Sequence, residues 1–151
     1  MRMYDPVYLK LLRQACDKYN IHLIADEIAV GFGRTGTMFA YEQGKITPDI
    51  ICLSKGITGG YMTLSTILTT DELYNAFYDE YTKLNAFLHS HSYTANPIAC
   101  AAANASLDLF EKNNILAKVK KIECFFKKHL KVFLKYNFVK DIRVLGAVAV
   151  I

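Results

Sequence analysis

Two short apolar runs constrain this chain more than any other feature: residues 21–25 and 49–53 are each too brief for a buried helix, and each stops abruptly at chemistry-bearing side chains. The first delivers Asp26 and Glu27 at its end, the second Ser54 and Lys55. Apolar runs of this length suit strands buried on both faces, as in a parallel sheet covered by helices. Helical patterns surround them. Asp5 can cap a helix that begins at Pro6, where Tyr8, Leu11, Leu12, Ala15 and Tyr19 recur at helical spacing and Asn20 is a stop. Thr47 and Pro48 form a turn before the second run, and Gly59 and Gly60 permit a sharp reversal into a third strand over residues 62–68. The expected fold class is therefore α/β, a mostly parallel sheet with flanking helices and one antiparallel strand.

Further along, Thr70 with Asp71 and Glu72 starts a helix reaching about residue 81, and Asn96 with Pro97 opens an alanine-rich helix to about residue 112. A lysine-rich helix spans about 114–136, and residues 141–151 read as a strand broken at Gly146. No internal repeat, low-complexity tract or linker divides the chain, so it reads as one domain.

With 52% hydrophobic residues among 151, the chain can build a substantial core. Its net charge of +4 is concentrated in residues 112–135, which hold eight lysines against the single acid Glu123. That stretch has no Arg, and its lysines alternate with Leu116, Val119, Ile122, Phe126 and Leu130, the pattern of an amphipathic helix with a solvated face rather than of a nucleic-acid interface. Cysteines 16, 52, 100 and 124 stand far apart without metal-ligand spacing and read as buried thiols of a reducing compartment. His89 and His91 lack a third ligand nearby, so no metal is expected. No signal peptide and no apolar run long enough to span a membrane is present, and a cytoplasmic location is expected.

In open α/β sheets, ligands collect beyond the carboxyl ends of the strands, where Asp26 and Lys55 are expected. Taken singly, each has an ordinary structural reading: a strand-end lysine that snorkels to solvent, and an acid that caps a loop. Together they supply a desolvated amine able to attack an aldehyde and a carboxylate able to hold a pyridine nitrogen protonated, the two groups that pyridoxal phosphate requires for transamination. The loop Gly31-Phe32-Gly33-Arg34-Thr35-Gly36 matches a dinucleotide-binding pattern. The match is set aside because Ile28, Ala29 and Val30 separate it from the strand and no helix start follows it.

The run Leu23-Ile24-Ala25-Asp26-Glu27-Ile28-Ala29-Val30-Gly31-Phe32-Gly33-Arg34-Thr35-Gly36, followed by Pro48-Asp49-Ile50, Ser54-Lys55-Gly56 and Gly59-Gly60, resembles the class III aminotransferases, which are fold type I pyridoxal-phosphate enzymes. Within that class, Met62-Thr63-Leu64-Ser65, Leu68-Thr69-Thr70 and Asn96-Pro97-Ile98-Ala99-Cys100-Ala101-Ala102-Ala103 are similar to the subfamily that aminates 8-amino-7-oxononanoate in biotin synthesis, with S-adenosylmethionine as donor. The resemblance implies that Asp26 binds the pyridine nitrogen and that Lys55 holds the cofactor aldehyde and then shuttles a proton. It further implies that Ser92, beside Tyr93, stands where the subfamily has a threonine reaching the phosphate of the neighbouring subunit. A homodimer with the active site at the subunit interface is the expected assembly. Ala29 agrees with the subfamily, whereas Val30 departs from a usual threonine.

Family members are far longer, so the resemblance implies a central segment. Residues 1–140 would belong to the cofactor-binding large domain, and 141–151 would begin the connection to the small C-terminal domain. The upstream Gly-Ser turn for the phosphate, the aromatic that stacks on the ring and the C-terminal arginine for the substrate carboxylate have no counterpart here, and the segment alone is expected to have little activity. Two other readings stand beside the biotin-pathway enzyme: an ornithine or ω-amino-acid aminotransferase of the same class, and a non-catalytic remnant of a split or truncated gene.

Overall fold

The computed structural model describes residues 2–151, and its first element follows from a local capping rule. The Asp5 carboxylate accepts a hydrogen bond from the Val7 amide at 2.9 Å, Pro6 brings a preset φ, and helix α1 runs over Pro6–Tyr19. Asn20 ends it in the left-handed region at φ 52°.

Three strands form the central sheet in the order β1 (Ile24–Asp26), β2 (Ile50–Leu53), β3 (Thr66–Thr69). β1 and β2 are parallel, with Ile24 opposite Ile50 and Asp26 opposite Cys52; β3 returns antiparallel, with Thr66 opposite Leu53. The α/β class and the antiparallel return of the third strand are thus as expected, with shifted boundaries. β1 starts late because the Ile21 amide is spent on the Cys16 carbonyl and the Leu23 amide on the Asp49 side chain. β3 starts late because the Thr58 hydroxyl donates to the Met62 carbonyl at 2.6 Å, tying residues 58–62 into a turn through Gly59 (φ 61°) and Gly60 (φ 88°).

Helix α2 (Asp71–Phe77), capped by the Thr70 hydroxyl, stops short of the expected residue 81. Asp79 is the reason: its carboxylate gathers the Glu80 amide, the Lys83 ammonium and the Asn85 amide group into a turn that competes with further helix. Helix α3 (Pro97–Lys112) has the expected bounds, with the Asn96 side chain accepting from the Ile98 and Ala99 amides. Helix α4 (Ile115–His129) is shorter than expected, tightening over Leu130–Lys135 into a 3-10 helix of the kind common at helix C-termini. Residues 141–151 break at Gly146 as expected, and the two halves pair as a hairpin, β4 (Arg143–Leu145) with β5 (Val148–Val150), because Gly146 turns the chain at φ 57°.

The core is small. Leu23, Leu53, Ile57, Ala99, Ala103 and Val119 are buried, and the small side chains of α3 let it lie close against the turn formed by Lys55–Thr58. The lysines of α4 at 118, 120, 121, 127 and 128 are exposed around buried Val119, as a solvated face requires. Cysteine burial departs from expectation: Cys16 is buried, Cys52 and Cys100 are half-buried, and Cys124 lies exposed on the wet side of α4. All four are free thiols. Many large apolar side chains face outward, among them Tyr61, Tyr81 and Leu88, each about nine-tenths exposed. No helix among the described residues is long and apolar enough to cross a membrane.

Candidate functional site

Parallel pairing sends the ends of β1 and β2 out of the same side of the sheet, and Asp26 and Lys55 leave from there. Asp26 is the last residue of β1, in register with Cys52, and Lys55 lies two residues beyond Leu53, the last residue of the neighbouring strand. The register depends on Asp49. Its carboxylate accepts from the Leu23 amide at 2.6 Å and from the Arg13 guanidinium at 2.7 Å, while its own amide donates to the Leu23 carbonyl at 2.9 Å. The Arg13 hydrogen bond, helped by the Leu23 amide, holds the Asp49 carboxyl below the ordinary carboxylate range.

Asp26 is exposed and oriented by one bond, its Oδ1 accepting from the Ile28 amide at 3.0 Å. Its other oxygen has no partner among the described residues. Lys55 has left the strand ladder: it opens the 3-10 turn at φ 46°, a left-handed conformation that is uncommon for a non-glycine residue and is found disproportionately at functional positions. Lys55 is exposed, so the desolvation expected of a lysine closing an apolar strand is not supplied by the residues around it.

The neighbouring acid proves more deeply engaged. Glu27 is 3% exposed, and its two carboxylate oxygens accept from the Ala40 and Tyr41 amides, each at 2.9 Å. Its amide donates to the Cys52 carbonyl and its carbonyl accepts from the Gly31 amide. The glycine-rich segment is therefore a loop closed at its base by one buried carboxylate. Burial pushes the Tyr41 phenol up, and the carboxylates of Glu42 and Glu27 add to it. Sequence reasoning gave Glu27 no role, because the amides it binds lie 13 and 14 residues away in a segment without periodic pattern. The Arg13–Asp49 pair was missed for the same reason.

Ser92 and Tyr93 are exposed, and no hydrogen bond or ring contact links either to Asp26 or Lys55 among the described residues. Their segment is held locally, with the Tyr93 amide donating to His91 Nδ1 at 3.1 Å. A cleft of about 350 Å³ runs beside β1, lined by Leu9, Leu23, Ala25, Asp26, Thr35 and Tyr41 among others, and the buried Thr35 hydroxyl there has no hydrogen-bond partner among the described residues. A second cleft of about 560 Å³ lies between Phe32, Arg34, the Gly56–Gly59 turn and α3. Lys55 lines neither. Among the described residues no group of three or more His, Cys, Asp or Glu side chains could hold a metal ion.

A carboxylate and a primary amine at one end of a parallel sheet, followed by a glycine-rich loop, is the arrangement that the comparisons with known proteins bear on. The class-III aminotransferase model matches residues 1–151. The chain belongs to the class-III aminotransferase family. Curated relatives of this class-III chain include the adenosylmethionine-8-amino-7-oxononanoate aminotransferase of Helicobacter pylori, 53% identical over 98% of the chain and 35% of the relative. The same-named protein of Aquifex aeolicus is 45% identical over 99% of the chain and 33% of the relative. Among solved structures, the corresponding Methanocaldococcus jannaschii enzyme superposes with a TM-score of 0.88 at 40% identity, covering 94% of the chain and 33% of that structure. A Bacillus anthracis aminotransferase gives 0.90 at 34% identity, covering 95% and 32%. The fold is thus that of part of a fold type I aminotransferase large domain, and the chain spans about a third of the length of the curated relatives it matches.

Proposed function

We propose that this chain carries the lysine and the aspartate of a pyridoxal-phosphate-dependent transaminase that converts 8-amino-7-oxononanoate to 7,8-diaminononanoate, with S-adenosylmethionine as amino donor, in biotin biosynthesis. The observation that carries the reading is the delivery of Asp26 and Lys55 by adjacent parallel strands to one end of the sheet. The substrate assignment is supported by the names of relatives that are 53% and 45% identical.

The donor set fits two of the cofactor's three anchoring groups. Lys55 offers a primary amine for the aldehyde carbon, and Asp26 offers for the ring nitrogen a carboxylate oxygen that has no partner among the described residues. The phosphate is assigned to the Ser92–Tyr93 segment of a second subunit, in keeping with the exposure of that segment and its lack of contact with Asp26 or Lys55. When bound, pyridoxal phosphate supplies the electron sink that makes a proton removable from the amine-bearing carbon of a substrate. Lys55 would hold the aldehyde carbon through its primary amine, and its Nζ, once freed by an incoming substrate amine, would take up that proton and return it elsewhere. Ionised Asp26, fixed through Oδ1 by the Ile28 amide, keeps a proton on the ring nitrogen by opposite-charge attraction.

Residues 1–140 are assigned to the large domain and 141–151 to the start of the connection to a small domain. The outward aromatic side chains of Tyr74, Phe77, Tyr78, Tyr81, Phe87 and Tyr93 favour a homodimer whose interface covers them. Four free cysteines favour a cytoplasmic location.

The test is chemical. Borohydride reduction of the full chain with pyridoxal phosphate should fix the cofactor on the Lys55 peptide, read by mass spectrometry, and Lys55→Ala should abolish the adduct. An adduct spread over surface lysines, or one that survives Lys55→Ala, would reject the assignment. For the substrate, release of 7,8-diaminononanoate with S-adenosylmethionine supports the biotin reading. Turnover with ω-amines alone would reject it in favour of the ω-transaminases, whose solved structures also superpose well at 31% identity.

A further inference from the structure

We propose that Phe32 is a positioning residue for Lys55, acting through Gly56 from the tip of the glycine-rich loop. The strand ladder cannot place Lys55 by itself, because the last paired residue of β2 is Leu53 and Lys55 already has left-handed backbone. What lies against the next residue is the Phe32 ring. A Cβ built on Gly56 would sit 2.9 Å from Phe32 Cδ2 and 3.1 Å from Phe32 Cβ, so the ring occupies the notch that the missing side chain leaves. Phe32 is itself held in the left-handed region at φ 57°, between Gly31 and Gly33.

The ring does not stand alone. It meets Phe39 edge-on at 5.8 Å, and Phe39 stacks on Tyr41 at 5.7 Å and 10°. The amides of Ala40 and Tyr41 are the two that the buried Glu27 carboxylate binds. Glu27 follows Asp26 directly. A continuous brace therefore leads from Asp26 through Glu27, Tyr41, Phe39 and Phe32 to Gly56 and Lys55, outside the sheet. Ile57 and Thr58 are buried where α3 packs on the turn, so the turn is held by α3 as well as by Phe32. The consequence is a second, side-chain-built constraint on the relative placement of the two residues that the proposed function needs. The inference rests on that reading.

The experiment compares Phe32→Ala, Gly56→Ala and the double variant in the full chain with pyridoxal phosphate. Two readouts are used: the yield of borohydride-fixed cofactor on the Lys55 peptide, and the pH midpoint of the visible absorbance of the lysine-bound cofactor. Melting curves establish that each variant is folded at the assay temperature. Gly56→Ala should lower the yield on the order of tenfold or more, as an ångström-scale misplacement of a reacting group does, and should move the pH midpoint. Adding Phe32→Ala should recover much of both, because the space vacated by the ring admits the new methyl group. Losses in the double variant that merely multiply those of the singles, or single variants that melt earlier with an unmoved midpoint, would overturn the brace. Should Gly56→Ala fail to fold, Phe32→Ala and Phe32→Leu carry the test, with a midpoint shift graded by side-chain size expected and an unmoved midpoint refuting. No Lys55 adduct in the unsubstituted chain would overturn the proposed function as well, whereas additivity would overturn the brace alone.

Discussion

Replacing Asp49 with alanine removes the clamp that sets the register of β1 on β2, and its cost can be worked from the geometry. The carboxylate accepts one hydrogen bond from the Leu23 amide at 2.6 Å and one from the Arg13 guanidinium at 2.7 Å. Hydrogen bonds to charged groups contribute about 1.5–3 kcal/mol each when buried. The Asp49 side chain is 26% exposed and that of Arg13 16%, so solvent screens part of this. The expected loss for Asp49→Ala is therefore about 2–3 kcal/mol in total, below the buried-pair range. Asp17 is the internal control: it bonds the same guanidinium at 2.7 Å, yet its side chain is 63% exposed and lies one helical turn away, so Asp17→Ala should cost only about 0.5 kcal/mol. Urea denaturation monitored by circular dichroism measures both. The pH dependence adds an independent check. Because the folded state holds the Asp49 carboxyl below its ordinary value, the stabilisation is fully present above the unfolded-state value of about 3.9 and disappears as pH falls through the lower folded-state value. Asp49→Ala should therefore flatten the acid limb of the stability curve. Equal losses for the two aspartate variants, or an unchanged acid limb, would refute the reasoning.

Three further perturbations have defined outcomes. Gly146→Ala combines a positive φ of 57° with a Cβ only 2.4 Å from the Thr35 backbone, and should cost at least about 3 kcal/mol or detach the hairpin, visible as faster amide exchange in β4 and β5. Asn96→Ala removes the acceptor for the Ile98 and Ala99 amides and should lower stability by about 1 kcal/mol, read from the urea midpoint, with only a minor change if glycine is used instead. Glu27→Ala leaves two part-buried amides without their acceptor and should cost about 2–4 kcal/mol by the same measurement. In a folded Glu27→Gln chain the Tyr41 phenol should titrate lower, by NMR, because one of the charges holding it up is gone.

The elements legible from the sequence are those whose cause is local. Asp5 with Pro6, Thr70 with Asp71, and Asn96 with Pro97 each announce a helix within a few residues, and each helix begins there. The placement of Asp26 and Lys55 at one end of the sheet was legible because each follows a short apolar run that reads as a buried strand. Helix ends were not, since Asp79 stops α2 by collecting partners from residues 80, 83 and 85. Nor was the clamp or the brace. Arg13 finds Asp49, Glu27 finds Tyr41, and Phe32 finds Gly56 only after the chain has turned back on itself. The same holds for the exposure of Lys55: one can read where an apolar run stops, but the amount of protein around its end is a tertiary quantity.

The turn of the C-terminal hairpin sets an order of events. Gly146 lies directly on the backbone of Arg34, Thr35 and Gly36, and the Ala147 amide donates to the Arg34 carbonyl at 2.9 Å. The glycine-rich loop thus has one of its walls supplied by residues far downstream, and closing so long a stretch of chain is slow compared with forming α1, α3 or α4. More than a hundred residues separate the loop from the hairpin that walls it, so all of them must be made before that contact can form. The glycine-rich loop that follows Asp26 accordingly gains its last contacts later than α1, α3 or α4 gain theirs.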